Sequence, residues 1–117
     1  MAAKESAFIQ FLLEQLQWMG PVTARRMFGG WGLFLEGLMF ALVLDNTLYL
    51  KADAESRGDF DALGLQPFSY ERGGRGIALS YFQPPEEALD DVELLLTWAN
   101  GAYAAALRSA AAKRRKT

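Results

Sequence analysis

Between Phe28 and Lys51 the chain reads as three strands separated by turns of only two residues. Residues 32–35 run into Glu36-Gly37, Leu38–Leu44 runs into Asp45-Asn46, and Thr47–Lys51 returns. A two-residue loop joins only antiparallel neighbours, and glycine, asparagine and aspartate supply the positive φ that such turns demand. The stretch is thereby confined to an antiparallel meander. Leu38–Leu44 is apolar on both faces, which places it in the middle of the sheet. Gly29, Gly30 and Gly32 loosen the entry to the first strand.

The flanks change period. In residues 5–19, Phe8, Ile9, Leu12, Leu13 and Leu16 recur at spacings of three and four, so a helix is predicted, ended by Gly20-Pro21. Thr23 then caps one short turn carrying Arg25, Arg26 and Met27. After the meander, Asp53 is the expected N-cap of a short helix through Leu63, with Phe60 and Leu63 facing the sheet and Gly64 as its stop. Residues 66–71 and 77–83 read as two more strands around the turn Arg72-Gly73-Gly74-Arg75-Gly76. Pro84-Pro85 breaks the chain, and Asp90 with Glu93 is a box-like start for a last helix whose apolar stripe fades into alanine. The predicted order is α–βββ–α–ββ–α. The fold class is α+β, a two-layer sandwich of a five-stranded antiparallel sheet with helices. One domain over residues 1–112 is expected, with 113–117 a disordered basic tail.

Composition narrows the chemistry. There is neither cysteine nor histidine among the 117 residues. The commonest general base, thiolate nucleophiles and the usual zinc ligands are therefore all absent. No catalytic residue, cofactor or metal site is expected, and the chain is read as a non-enzyme. Lys113, Arg114, Arg115 and Lys116 hold four of the twelve basic residues, which leaves eight against fourteen acidic residues in the remainder. An acidic body is a poor platform for phosphates, so only weak or indirect nucleic-acid contact is expected. There is no apolar run long enough to span a membrane and no secretory leader pattern, so a cytoplasmic location without membrane attachment is expected.

The candidate motifs have plain structural alternatives. Phe28-Gly29-Gly30-Trp31-Gly32 precedes a strand and lacks a following Gly-Lys-Ser/Thr, so close strand entry outweighs phosphate binding. Arg25 and Arg26 offer two guanidinium groups for a partner's carboxylate or phosphate, or for surface acids such as Glu36 or Asp53. Lys51 beside Asp53 reads as a strand-end lysine and not a nucleophile. The acids Glu86, Glu87, Asp90, Asp91 and Glu93 suit a helix N-terminus better than a metal. The uncovered sheet face is expected to carry Tyr49, Phe68 or Tyr70, and Tyr81 or Phe82, according to register.

Three stretches then stand together: Arg26-Met27-Phe28-Gly29-Gly30-Trp31-Gly32-Leu33-Phe34, Gly37-Leu38-Met39-Phe40-Ala41-Leu42-Val43, and Leu48-Tyr49-Leu50-Lys51-Ala52-Asp53. They resemble the N-terminal domain of the TfoX family of competence regulators, also called Sxy. Pro67-Phe68-Ser69-Tyr70, Gly74-Arg75, Ser80-Tyr81-Phe82, and Leu89-Asp90-Asp91 before Trp98-Ala99 extend the likeness in order over about residues 6–108. The resemblance implies a bacterial regulator of DNA-uptake genes, acting with the cyclic-AMP receptor protein at promoters. It also implies a secretion-chaperone-like α/β fold and no catalytic residues. The family's regulators carry a second, helical C-terminal domain of DNA-binding character. This chain stops before one, so a stand-alone N-terminal module is expected.

The leading functional expectation is a non-enzymatic regulatory module that binds a protein partner, such as a transcription factor, or a second copy as a homodimer. Its expected contact residues are Arg25, Arg26, Phe28, Gly29, Gly30, Tyr49, Tyr70 and Arg75. The alternative is a small-ligand sensor with an apolar pocket between helix and sheet.

Overall fold

The computed structural model describes residues 2–27 and 29–116, with the side chains of 2–6, 70–72, 75, 77–78 and 116 outside the description. Helix α1 (Ala2–Leu16) ends in a 3-10 turn at Gln17–Met19. Strands β1 (Thr23–Met27), β2 (Gly30–Leu35), β3 (Leu38–Leu44) and β4 (Thr47–Lys51) follow. Then come α2 (Arg57–Ala62), β5 (Pro67–Arg72), β6 (Arg75–Phe82), a 3-10 segment at Glu86–Asp90, and α3 (Val92–Lys116). The strands form a six-stranded sheet in the order β1-β2-β3-β4-β6-β5, antiparallel throughout. The α+β class and the three-stranded meander are as expected, and β3 lies inside the sheet.

One expected turn is a strand. Thr23–Met27 pairs with β2 from Thr23 opposite Phe34 to Met27 opposite Gly30. Only residues 28 and 29 separate the two strands, so the backbone finds its partners in a tight hairpin. A lone helical turn there would leave those groups unpaired. The short, arginine-bearing β1 is an edge strand, where charge discourages pairing with other chains. The hairpin turns behave as the sequence demands: Glu36-Gly37 has φ of 52° and 82°, and Asp45-Asn46 has 54° and 57°.

The helices share one face of the sheet. Ile9, Leu12 and Leu16 of α1, Phe60 of α2, and Leu95, Ala99, Ala102 and Ala106 of α3 pack into one core with the inward residues of the strands. Phe40, Leu12, Leu16, Leu33, Leu50, Leu95 and Val43 are its largest fully buried side chains. Each such side chain contributes roughly 1.5–3 kcal/mol by leaving water. A register shift in the β2–β3 pair lets the consecutive Phe40 and Ala41 both join this core. Phe40 meets the Tyr103 ring of α3 edge-on at 6.1 Å. The alanine stripe of α3 lets the helix lie close on the sheet.

Four local expectations need correction. Asp91, not Asp90, caps α3: its Oδ1 accepts the Glu93 and Leu94 N–H groups, while Asp90 closes the preceding 3-10 segment. Phe60 is buried between Phe82 and Trp98, but Leu63 lies past the end of α2 and is 59% exposed. α2 itself begins at Arg57, because Asp53 and Ser56 close a turn ahead of it. In that turn the Asp53 carboxylate accepts the Ser56 N–H and hydroxyl, and the Ser56 oxygen accepts the Asp53 N–H. α3 runs on to Lys116, so residues 113–116 are helical and not the expected disordered tail.

Candidate interaction surface

Alternation along each strand decides which side chains meet the helices and which face away. Residues opposite one another share a face, so the row Arg25, Gly32, Leu42 and Tyr49 crosses the outer face from β1 to β4. Lys51 and Tyr81 extend that face toward β6. Phe82 pairs with Leu50 and belongs to the core. The register thus selects Tyr81 over Phe82 as the outward aromatic. Tyr49 and Phe68 are in edge contact at 5.3 Å. The Tyr70 and Arg75 side chains lie outside the described residues.

The centre of the outer face is built around a glycine. A Cβ at Gly32 would sit 2.6 Å from Met27 Sδ, 2.7 Å from Met39 Sδ and 3.0 Å from Phe34 Cε1. The missing side chain leaves a depression that two thioethers and a phenyl ring close over. Leu42 is only 5% exposed there, although it is not part of the helix-side core. Its neighbours on the same face screen it from water. Gly30 is a stricter case, because a Cβ would lie 2.3 Å from the Val43 carbonyl oxygen. Gly29, at φ 76°, sits in the turn before β2, and Phe28 lies outside the described residues.

The two arginines point to opposite faces. Arg25 lies over the Phe34 ring on the outer face, 5.0 Å from its centroid. Arg26 pairs opposite Trp31 and lies 5.3 Å over its ring on the inner side. The pair therefore cannot close together on a single anion, which is what adjacent residues on a helical turn would allow. The Trp31 indole N–H beneath Arg26 is buried without a hydrogen-bond partner.

Lys51 lies 5.2 Å over the Tyr81 ring. Burial pulls its pKa below the usual lysine value, the nearby Lys113 charge adds to this, and Asp53 opposes it. Burial also pushes the Tyr81 phenol upward. Asp53 is engaged elsewhere. Arg108 of α3 donates to both its carboxylate oxygens, at 2.6 and 3.0 Å, and reaches Glu55 at 3.3 Å. The Arg108 hydrogen bond, with the Ser56 donors, holds the Asp53 carboxyl well below the usual carboxylate range. This pairing ties α3 to the end of β4, and the sequence offered no spacing signal for it. Arg57 pairs with Asp61 at 3.5 Å along α2.

Two open clefts lie away from this face. One of about 420 Å³ runs between α2 and α3, lined by Phe60, Leu63, Trp98 and Ala102 among others. Another of about 340 Å³ lies where Asn46, Gln66, Gln83 and Leu89 converge. Neither is enclosed between the helices and the sheet, where the sequence placed a ligand pocket. Among the described residues no helix is long and apolar enough to cross a membrane.

The sequence profile of the TfoX N-terminal domain family matches residues 14–106. DNA transformation protein TfoX1 of Aliivibrio fischeri is 34% identical over 86 residues, which cover 74% of this chain and 39% of that protein. Protein Sxy of Escherichia coli is 30% identical over 73 residues, covering 62% of this chain and 35% of that protein. The chain thus aligns with less than half the length of these curated relatives.

Proposed function

Because the chain belongs to the TfoX family through its N-terminal domain, we propose that it is a non-enzymatic regulatory module that docks on a protein partner through the outer face of its sheet. The supporting observation is the division of the sheet. Among the described residues, the three helices pack on one face, and the other carries Met27, Phe34, Met39 and Leu42 with no helix layer of its own. A two-layer sandwich with an apolar outer sheet face is built to accept a third layer. The described side chains of this face are thioethers, aliphatics, aromatics, two cations and the hydroxyls of Thr23 and Thr47, which suit contact better than proton transfer. The role in DNA transformation carried by the relative's name makes a transcription factor the partner to test first.

The test is transcription of DNA-uptake genes in the native cell, read with a reporter. Phe34→Glu is compared with Leu63→Glu, a similar change on the helix side. Loss of reporter signal for Phe34→Glu alone, with circular dichroism unchanged, is the expected result. Equal signal from both variants and wild type overturns the reading. The small-ligand alternative would have to use the open cleft between α2 and α3, and Leu63→Glu tests that site in the same experiment.

A further inference from the structure

Resting on that docking surface, we propose that its occupant is an acidic amphipathic helix of the partner, laid across the strands with a carboxylate near each end. The charges of the face lead to this choice. Arg25 and Lys51 are its described cations, and each sits over an aromatic ring with no carboxylate within ion-pair reach among the described residues. The chain outside its basic C-terminal run is strongly acidic, so this face is a cationic and apolar island on an anionic body. Facing charges of opposite sign guide docking and suppress wrong partners.

The geometry sets the length of the occupant. Arg25 on β1 and Lys51 on β4 are separated by three strand spacings and by two residues along the strand. These amount to about 14 Å across and about 7 Å along, or about 16 Å between the two positions. At 1.5 Å rise per residue, a helix spans this in about eleven residues, about three turns, which returns both ends to the same face. Apolar side chains at helical spacing between the two carboxylates would then meet the half-buried Phe34, Met39 and Tyr49. Methionines suit such a surface, because their flexible thioethers repack around different anchors.

Two other occupants fit less well. A second copy docked face to face would bring Arg25 and Lys51 against cations of their own kind. Single-stranded nucleic acid stacks its bases on open aromatic faces. Here the Phe34 and Tyr81 faces are already covered by Arg25 and Lys51, and Tyr49 is engaged with Phe68.

The probe is a labelled 18-residue amidated peptide with leucine and phenylalanine at helical spacing and two glutamates eleven residues apart, on one face of the helix. Its binding is read by fluorescence anisotropy, beside a lysine-for-glutamate peptide and a labelled single-stranded oligonucleotide. The glutamate peptide is expected to bind wild type best. Arg25→Glu/Lys51→Glu should weaken it on the order of ten-fold while strengthening the lysine peptide, a gain that an unfolded variant cannot give. Equal binding of both peptides overturns the proposal, as does tighter binding of the oligonucleotide. A wild-type dimer in sedimentation that Phe34→Glu dissociates would assign the face to a second copy instead. If Phe34→Glu silences the reporter while the peptides show no charge preference, the acidic helix falls and the docking face stands. If the reporter is unchanged and no peptide binds, both fall.

Discussion

The two faces of the sheet are both apolar, yet they are built on different rules. On the inner face, Leu33, Phe40, Val43 and Leu50 are sealed beneath α1 and α3 with no measurable exposure. On the outer face, Leu42 is nearly as well hidden, but it lies between Tyr49 and Gly32, over which Met27, Met39 and Phe34 of the same sheet close. The inner cover is fixed by long-range packing between elements. The outer cover is local to the sheet and includes two unbranched thioethers, which adapt to their surroundings more readily than a packed core does. Burial of a residue is therefore a poor guide to its role here, and what buries it is a better one.

Substitutions should expose the difference. Phe40→Ala removes a fully buried ring that contacts Tyr103, and it should cost about 3–5 kcal/mol in urea or guanidinium unfolding. Phe34→Ala on the outer face should cost markedly less, since its neighbours can settle into the space. Comparable losses at the two positions would erase the distinction between the faces. The glycines give a second contrast, of smaller size. Gly30→Ala drives a methyl into the Val43 carbonyl, a backbone atom that cannot step aside, and should cost about 1–3 kcal/mol. Gly32→Ala meets mainly the ends of Met27 and Met39 and should be milder. The same unfolding experiment reads both.

Much of this division was legible in the sequence. Two-residue turns fixed the meander, and the absence of cysteine and histidine narrowed the chemistry. The family likeness carried the rest of the fold. The misplaced features each have their own physical cause. Thr23–Met27 has neither strand alternation nor a helical stripe, so only its pairing with β2 defines it. Arg25 and Arg26 suggest one cationic site because adjacency in sequence is adjacency in space on a turn, but on a strand it puts them on opposite faces. Leu63 is apolar yet exposed, because it lies past the last turn of α2. The Asp53–Arg108 pair joins residues 55 apart and leaves no local signature.

That ion pair offers the third prediction, on the inner, helix-bearing layer. Asp53 has its pKa depressed, so its charged form is favoured in the folded state, and the stability it contributes is present above the ordinary carboxylate pKa of about 4. It is lost as pH falls through the depressed value. Asp53→Asn should lower the thermal midpoint by a few degrees at pH 7, and the gap to wild type should close as pH falls below about 4. A gap constant between pH 7 and pH 2 would mean that the carboxylate's charge does not anchor α3.

Arg25→Ala should have the smallest effect on stability and is the sharpest test of the outer face. The side chain is exposed on an edge strand and contributes only its contact with the Phe34 ring, worth about 0.5–1 kcal/mol at such sites. Unfolding midpoints should therefore barely move. Reporter transcription in the native cell should nevertheless fall, because the same guanidinium is one of the two described cations available to a partner on this face. Arg26→Ala is the matched control, one residue away and facing the helix side over Trp31. If Arg26→Ala lowers the reporter as much as Arg25→Ala does, the partner reads the β1 edge and not the face, and the contrast between the two sides of the sheet has no functional meaning.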